Sequence, residues 1–132
     1  ASDVYKRQAL DYADHRETFG KKLNEHQAIS FKLSEMATRV SAARALTLHA
    51  ASLEDAGEKA IAEASMAKAF SSDVAEWVSS EALQIHGGYG FLKNTSVEKY
   101  YRDARVLRIY EGTNEIQNMV IARQLKSGWK PH

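Results

Sequence analysis

The sequence contains no cysteine and a single proline in 132 residues. Without a thiol there is no disulfide framework, no thiolate nucleophile and no cysteine-ligated zinc. Proline, ordinarily about 5% of residues, is the residue that interrupts helices, so its scarcity favours long uninterrupted ones. Glycine is sparse too: seven in all, three of them crowded between positions 87 and 90. An excess of either charge is also missing. Eighteen Lys and Arg stand against 17 Asp and Glu, leaving a net charge of +1, so no global basic field recruits nucleic acid or an anionic lipid surface. No apolar run approaches the ~20 residues of a membrane helix, and the N-terminus lacks the apolar segment of a signal peptide. These absences fit a soluble chain of a reducing compartment, with no nucleic-acid or membrane partner.

What is present points to helices. Hydrophobic residues make up 44% and charged residues 27%, which is enough apolar side chain for a core and argues against disorder. Residues 1–8 carry no cap followed by an apolar stripe, and are expected to be a leader foreign to the domain. Ala9 to Ala13 read as the end of a helix, His15–Leu23 as a polar connector. Asn24 with Gln27 resembles a capping box. Beyond it Ile29, Leu33, Met36, Val40, Ala43, Leu46, Ala50 and Leu53 recur at gaps of 4, 3, 4, 3, 3, 4 and 3, the stripe of a bundle helix running to a stop at Gly57. A second stripe (Ala60, Ala64, Ala67, Phe70, Val74, Val78, Ala82, Ile85) ends at the glycine cluster. Thr95 with Glu98 predicts the cap of a shorter helix to about Arg105. Thr113 predicts the cap of a last one carrying Ile116, Val120 and Leu125. Residues 127–132 are expected to fray. The fold class is all-α: an up-and-down four-helix bundle, two long helices plus shorter ones, over residues 9–126, with no strand pattern.

Metal chemistry in a bundle needs Glu-x-x-His pairs; none occurs, and the five histidines are scattered, so no metal site is expected. Three segments carry other chemistry. Arg16-Glu-Thr-Phe-Gly-Lys21 offers a cation suited to a phosphate or pyrophosphate, with a hydroxyl (Thr18) and an aromatic ring (Phe19) beside it; a surface loop is the equal alternative. Gln84-Ile-His-Gly-Gly-Tyr-Gly90 lets backbone approach a ligand, or simply stops a helix. In Tyr110-Glu-Gly-Thr-Asn-Glu115 the carboxylate of Glu111 follows Leu107, Ile109 and Tyr110. Among such neighbours a carboxylate is dry and holds a proton more tightly, as a general base must; a solvated loop glutamate is the alternative. Thr113 opens a helix whose free N–H groups suit an anion or a polar cofactor edge.

Taken in order, Arg16-Glu-Thr-Phe-Gly-Lys21, Glu25-His-Gln-Ala-Ile-Ser30, Gln84-Ile-His-Gly-Gly-Tyr-Gly90, Arg102-Asp-Ala-Arg105 and Ile109-Tyr-Glu-Gly-Thr-Asn-Glu-Ile-Gln117 resemble the C-terminal helical domain of the acyl-CoA dehydrogenase family. The resemblance covers about Ala9 to Lys126. It implies FAD-dependent α,β-dehydrogenation of an acyl-CoA thioester, with Glu111 as the base that removes the α-proton and the β-hydrogen leaving as hydride to the flavin. It places Tyr110 and Gly112 beside the substrate. Thr113, Asn114 and Glu115 fall on FAD. Arg16 and Gln27, with Gln84, Ile85, His86, Gly87 and Gly88, fall on the FAD of a neighbouring subunit, and Thr18 and Phe19 are cofactor-binding. It further implies a homo-oligomer (dimer or tetramer), an electron-transfer flavoprotein as acceptor, and a bacterial-type cytoplasm or the mitochondrial matrix as location. The N-terminal helical and middle β-domains of the family are absent from this chain, which is therefore expected to be inactive alone. A non-enzymatic oligomerisation module and an acyl-CoA oxidase are the competing readings.

Overall fold

A computed structural model describes residues 2–131. Five α-helices form the chain: α1 (Ser2–His15), α2 (Gln27–Asp55), α3 (Ile61–His86), α4 (Ser96–Val106) and α5 (Asn114–Lys126). The all-α bundle of two long helices and shorter ones is thus present, with α3 at its centre, packed against all four others. Among the described residues no helix is long and apolar enough to cross a membrane.

The α2 stripe behaves as its spacing predicts. All eight of its apolar positions are buried or half-buried, and Met36 is fully so. The helix spans about 44 Å at ~1.5 Å per residue. Its end is closed as expected at Gly57, with the Gly57 and Glu58 N–H groups donating to the carbonyls of Glu54 and Leu53 at 2.9 Å each. The core joins Tyr5, Ala9 and Ala13 of α1 to Met36, Val40 and Ala43 of α2, Val74, Val78, Ala82 and Ile85 of α3, and Val97 and Ala104 of α4. Small residues on α1 and α3 let these helices approach closely, and dispersion grows with such contact.

Several local expectations are corrected. Helix α1 begins by Ser2, and Tyr5 is buried with its ring stacked on Tyr100 at 4.9 Å; the turn before Ala9 belongs to the packed helix. A two-residue hairpin, β1 (Glu17–Thr18) against β2 (Lys21–Lys22), interrupts the helical chain, with Thr18 opposite Lys21. It is too short to show a period-2 pattern. Asn24 does not cap α2. Its amide hydrogen-bonds Asp14 of α1, while Glu25 accepts from the Lys22 N–H at 3.0 Å across a short 3-10 turn. The Thr95–Glu98 capping box is also not made. The Thr95 hydroxyl donates backwards to the carbonyls of Leu92 and Tyr89 (3.0 and 3.2 Å), and the Glu98 carboxylate takes the Arg102 guanidinium at 2.8 Å. On α3, Ala64 and Phe70 face outward. On α5, Ile116 and Leu125 are about half exposed. Finally, residues 127–129 do not fray: the Trp129 indole N–H donates to Glu63 at 2.8 Å and its backbone N–H to Gln124 at 3.0 Å. His132 lies outside the described residues.

Candidate active site

The predicted site residues fall into two groups, one at the C-terminal end of α3 and one beside its middle. The first is a cavity of about 480 Å³ at its C-terminal end. Arg16, Thr18, Ile85, His86, Gly87 and Gly88 line it, as the motifs predict, joined by Tyr12, Leu23, Tyr89 and Leu92. The hairpin explains how residues 70 positions apart meet, because it folds the connector after α1 back over the end of α3. Its position is fixed by His26, whose ring lies 3.1 Å from both the Thr18 hydroxyl and the Thr18 carbonyl. His86 is buried and stacks on Tyr12 at 4.3 Å, with Nδ1 2.7 Å from the Ala82 carbonyl. A carbonyl can only accept, so Nδ1 carries the proton and a neutral ring leaves Nε2 to accept. The Arg16 guanidinium lies 5.6 Å over the Tyr89 ring, an attraction that leaves its N–H groups available to an anion.

The cavity wall depends on Gly90. A Cβ there would stand 2.8 Å from both the Leu83 carbonyl oxygen and His86 Cβ, neither of which is the loose end of a side chain. Gly90→Ala is expected to lower stability by about 1–3 kcal/mol, as overpacking does, and to displace the His86 wall. Chemical denaturation of the parent and variant proteins measures it.

Not every predicted residue joins this cavity. Phe19 is 99% exposed at the hairpin tip, and Gln27 and Gln84 are exposed beside it.

The second group lies ~20 Å away along α3, counting from His86 to Ser72. Here a groove of about 380 Å³ is lined by Lys68, Ser71, Ser72 and Ala75 of α3 with Leu107, Tyr110 and Glu111. Glu111 sits in a turn between α4 and α5 with φ of 55°, and Gly112 follows with φ of 84°. The Gln117 amide donates to the Glu111 and Gly112 carbonyls at 3.3 and 3.4 Å. A Cβ on Gly112 would come within 2.8 Å of that amide nitrogen, the movable end of the Gln117 side chain, so it is the positive φ that calls for glycine here. Thr113 caps α5 as predicted, accepting from the Ile116 N–H at 3.4 Å. A hydrogen bond from its own backbone N–H, with a further one from the Thr113 hydroxyl, holds the Glu115 carboxyl below the usual carboxylate range, so Glu115 is an anion at neutral pH.

Two expectations change in this group. Glu111 is exposed, because Ile109 and Tyr110 lie open at 52% and 50% and do not fold over it; nothing among the described residues keeps it dry. Asn114 is buried, and its carboxamide is bonded to Lys68, Ser72, Asp73 and Ala69 of α3, so its side chain is not free to hold a cofactor.

The profile of the acyl-CoA dehydrogenase C-terminal domain matches residues 4–126. The chain belongs to the acyl-CoA dehydrogenase family. An acyl-CoA dehydrogenase of Bacillus subtilis is 52% identical over 120 residues, 91% of this chain and 32% of that protein. The caffeyl-CoA reductase-Etf complex subunit CarC of Acetobacterium woodii is 48% identical over 118 residues, 89% of this chain and 31% of its own length. Among solved structures, butyryl-CoA dehydrogenase from Megasphaera elsdenii superposes with a TM-score of 0.93 at 42% identity, covering 95% of this chain and 33% of that one. This chain thus spans about a third of the length of the acyl-CoA dehydrogenase relatives it matches, and both residue groups lie in their C-terminal domain.

Proposed function

We propose that this chain is the part of a longer FAD-dependent enzyme that supplies the base for α,β-dehydrogenation of an acyl-CoA thioester. The observation that carries the reading is Glu111, a carboxylate held in a left-handed turn at the rim of a groove whose wall is partly apolar (Ala75, Leu107, Tyr110). The carboxylate takes the α-proton, and the carbon–carbon single bond becomes a double bond as the β-hydrogen departs as hydride. FAD, when bound, supplies the acceptor for that hydride. The α-proton of a thioester is only weakly acidic, so Glu111 must be dry when it acts. Its exposure here means that the remainder of the enzyme, together with the acyl chain, does the covering.

The cavity residues fit the dinucleotide part of FAD. Arg16 presents a cation to a pyrophosphate. Built on Gly87 or Gly88, a Cβ would meet nothing within 4 Å, so this lining is open cradle. Gln27, Gln84 and Phe19, which face away from the chain, suit the side of the ligand carried by a neighbouring subunit. Thr113 and Glu115 would hold the flavin end of the chain's own FAD from the start of α5. The separation of the two groups along α3 agrees with contacts to two different FAD molecules in a homo-oligomer. Outward apolar side chains on α3 and α5 (Phe70, Ile116, Met119) suit the subunit contacts. An electron-transfer flavoprotein is the proposed electron acceptor.

Anaerobic mixing of the FAD-loaded full-length enzyme with saturated acyl-CoA thioesters tests the proposal. The yellow flavin absorbance is expected to bleach, and electron-transfer flavoprotein to restore it faster than air does. Rapid restoration by dioxygen would instead assign an oxidase. No bleaching with any saturated thioester, together with oxidation of the reduced flavin by enoyl-CoA, would assign a reductase. The 132-residue chain alone is expected to give no turnover.

A further inference from the structure

We propose that Asn114 is a positioning residue for the base: its buried carboxamide anchors the Glu111 turn to helix α3 and so sets where the carboxylate stands. This rests on the assignment of Glu111 as the base. Asn114 Oδ1 accepts from Lys68 Nζ at 2.8 Å and from the Ser72 hydroxyl at 3.0 Å, while Nδ2 donates to Asp73 Oδ1 at 2.8 Å and to the Ala69 carbonyl at 3.3 Å. A carboxamide has two donors and two lone pairs, and each has a partner within residues 68–73 of a single helix, the one Ser72 proton being shared with the Ala69 carbonyl at 2.9 Å. Arg108, at the start of the same connection, also reaches α3 through Asp73 at 2.7 Å and Glu76 at 2.8 Å, but its side chain is partly exposed, whereas Asn114 is buried. The backbone N–H of Asn114 also donates to the Arg108 carbonyl at 3.1 Å, closing the turn on its other side.

Between these points stands Glu111, with φ of 55°, where L residues are rarely found. Such a conformation persists only where the surroundings over-determine it. Gln117 contributes from the exposed side; Asn114 is the buried fixture. Loosening it lets the backbone at Glu111 relax to negative φ and swings the carboxylate off line. Lys68 and Ser72 also line the groove, so one network holds both the base and the wall facing it. A displacement of ~1 Å costs a reaction of this kind on the order of 100-fold in rate.

The test uses the FAD-loaded full-length enzyme and an acyl-CoA deuterated at the α-carbon. Asn114→Ala is expected to lower kcat by about 10- to 100-fold. The loss should fall mainly on kcat, with KM and FAD content changing by much less, because the carboxylate's aim is felt in the proton-transfer step alone while the groove wall and the start of α5 keep their other contacts. The deuterium isotope effect should rise, since proton removal becomes the slowest step. Asn114→Asp opposes two carboxylates at Asp73. Adding Asp73→Asn restores a donor facing an acceptor and keeps the summed charge of positions 73 and 114; it gives up the Asp73–Arg108 ion pair at 2.7 Å, while Arg108 keeps Glu76 at 2.8 Å, and it should return about ten-fold or more of the lost kcat. That rescue stays readable even if Asn114→Ala fails to fold. Parental kcat and isotope effect in Asn114→Ala overturn the proposal. So does a double variant no better than Asn114→Asp in activity or FAD retention. Glu111→Gln, run in parallel, separates the two assignments. If it is inactive while the Asn114 variants are normal, only the anchor fails; if it turns over normally, the base and the anchor fall together.

Discussion

Glu111→Gln is expected to slow acyl-CoA dehydrogenation by the full-length enzyme by about 10²- to 10⁴-fold, the usual contribution of a positioned general base, while FAD binding is unchanged. The substitution preserves size and shape and removes only the capacity to take a proton. Nothing structural depends on the carboxylate: the hydrogen bond that Glu111 accepts from Gln117 ends on its backbone carbonyl, and the side chain is exposed in this chain. The loss should therefore appear in kcat with little change in KM, the signature of an interaction made in the transition state alone. Steady-state turnover together with the flavin absorbance of the purified variant checks both halves. Glu111→Asp, which keeps the base but draws it back by one methylene, should fall between the two, because proton transfer needs the carboxylate within hydrogen-bond reach of the α-carbon's proton.

The largest expected loss of stability comes from Met36→Ala, at about 2–5 kcal/mol. Met36 is 0% exposed and among the largest side chains buried completely. It lies on the α2 stripe, in the cluster shared by α1, α2, α3 and α4. Truncation leaves a hole that the flanking helices cannot fill without giving up contacts elsewhere, so the lost transfer energy and the cavity add together. A control stands on the same helix: Leu48 is 63% exposed, and Leu48→Ala should change stability by no more than about 0.5 kcal/mol. Urea unfolding of both variants separates them, and equal effects would show that Met36 is not in the core.

How legible each part was follows from its surroundings. Helix α2 presents one face to the bundle, so a 3.6-residue stripe describes it completely. Helix α3 is surrounded. Glu63, Ser65, Ser72 and Ser79 are buried on it while Ala64 and Phe70 face outward, and no single stripe can describe a helix with neighbours on several sides. The cavity was readable because its chemistry is local: a cation before a short hairpin, and glycines at a helix end. Tyr12 and Leu23, which complete it, stand in the sequence as part of a helix end and of a polar connector. The anchor beneath Glu111 was hidden for the opposite reason. Lys68, Ser72 and Asp73 fall outside the apolar stripe of their helix, and only packing α5 against α3 turns them into partners for Asn114. A capping box is likewise only a pattern of residue types; Thr95 and Glu98 had better partners nearby, and the box was not made.

The central claim is that Glu111 removes the α-proton, and isotope exchange tests it without reference to where the electrons go. Full-length enzyme is incubated in deuterium oxide with an acyl-CoA that it binds but cannot oxidise, and deuterium entering the α-carbon is followed by mass spectrometry. The parent enzyme should wash deuterium in readily, and Glu111→Gln should do so at least about 100-fold more slowly. Exchange by Glu111→Gln at the parental rate would contradict the account and assign the base to another group.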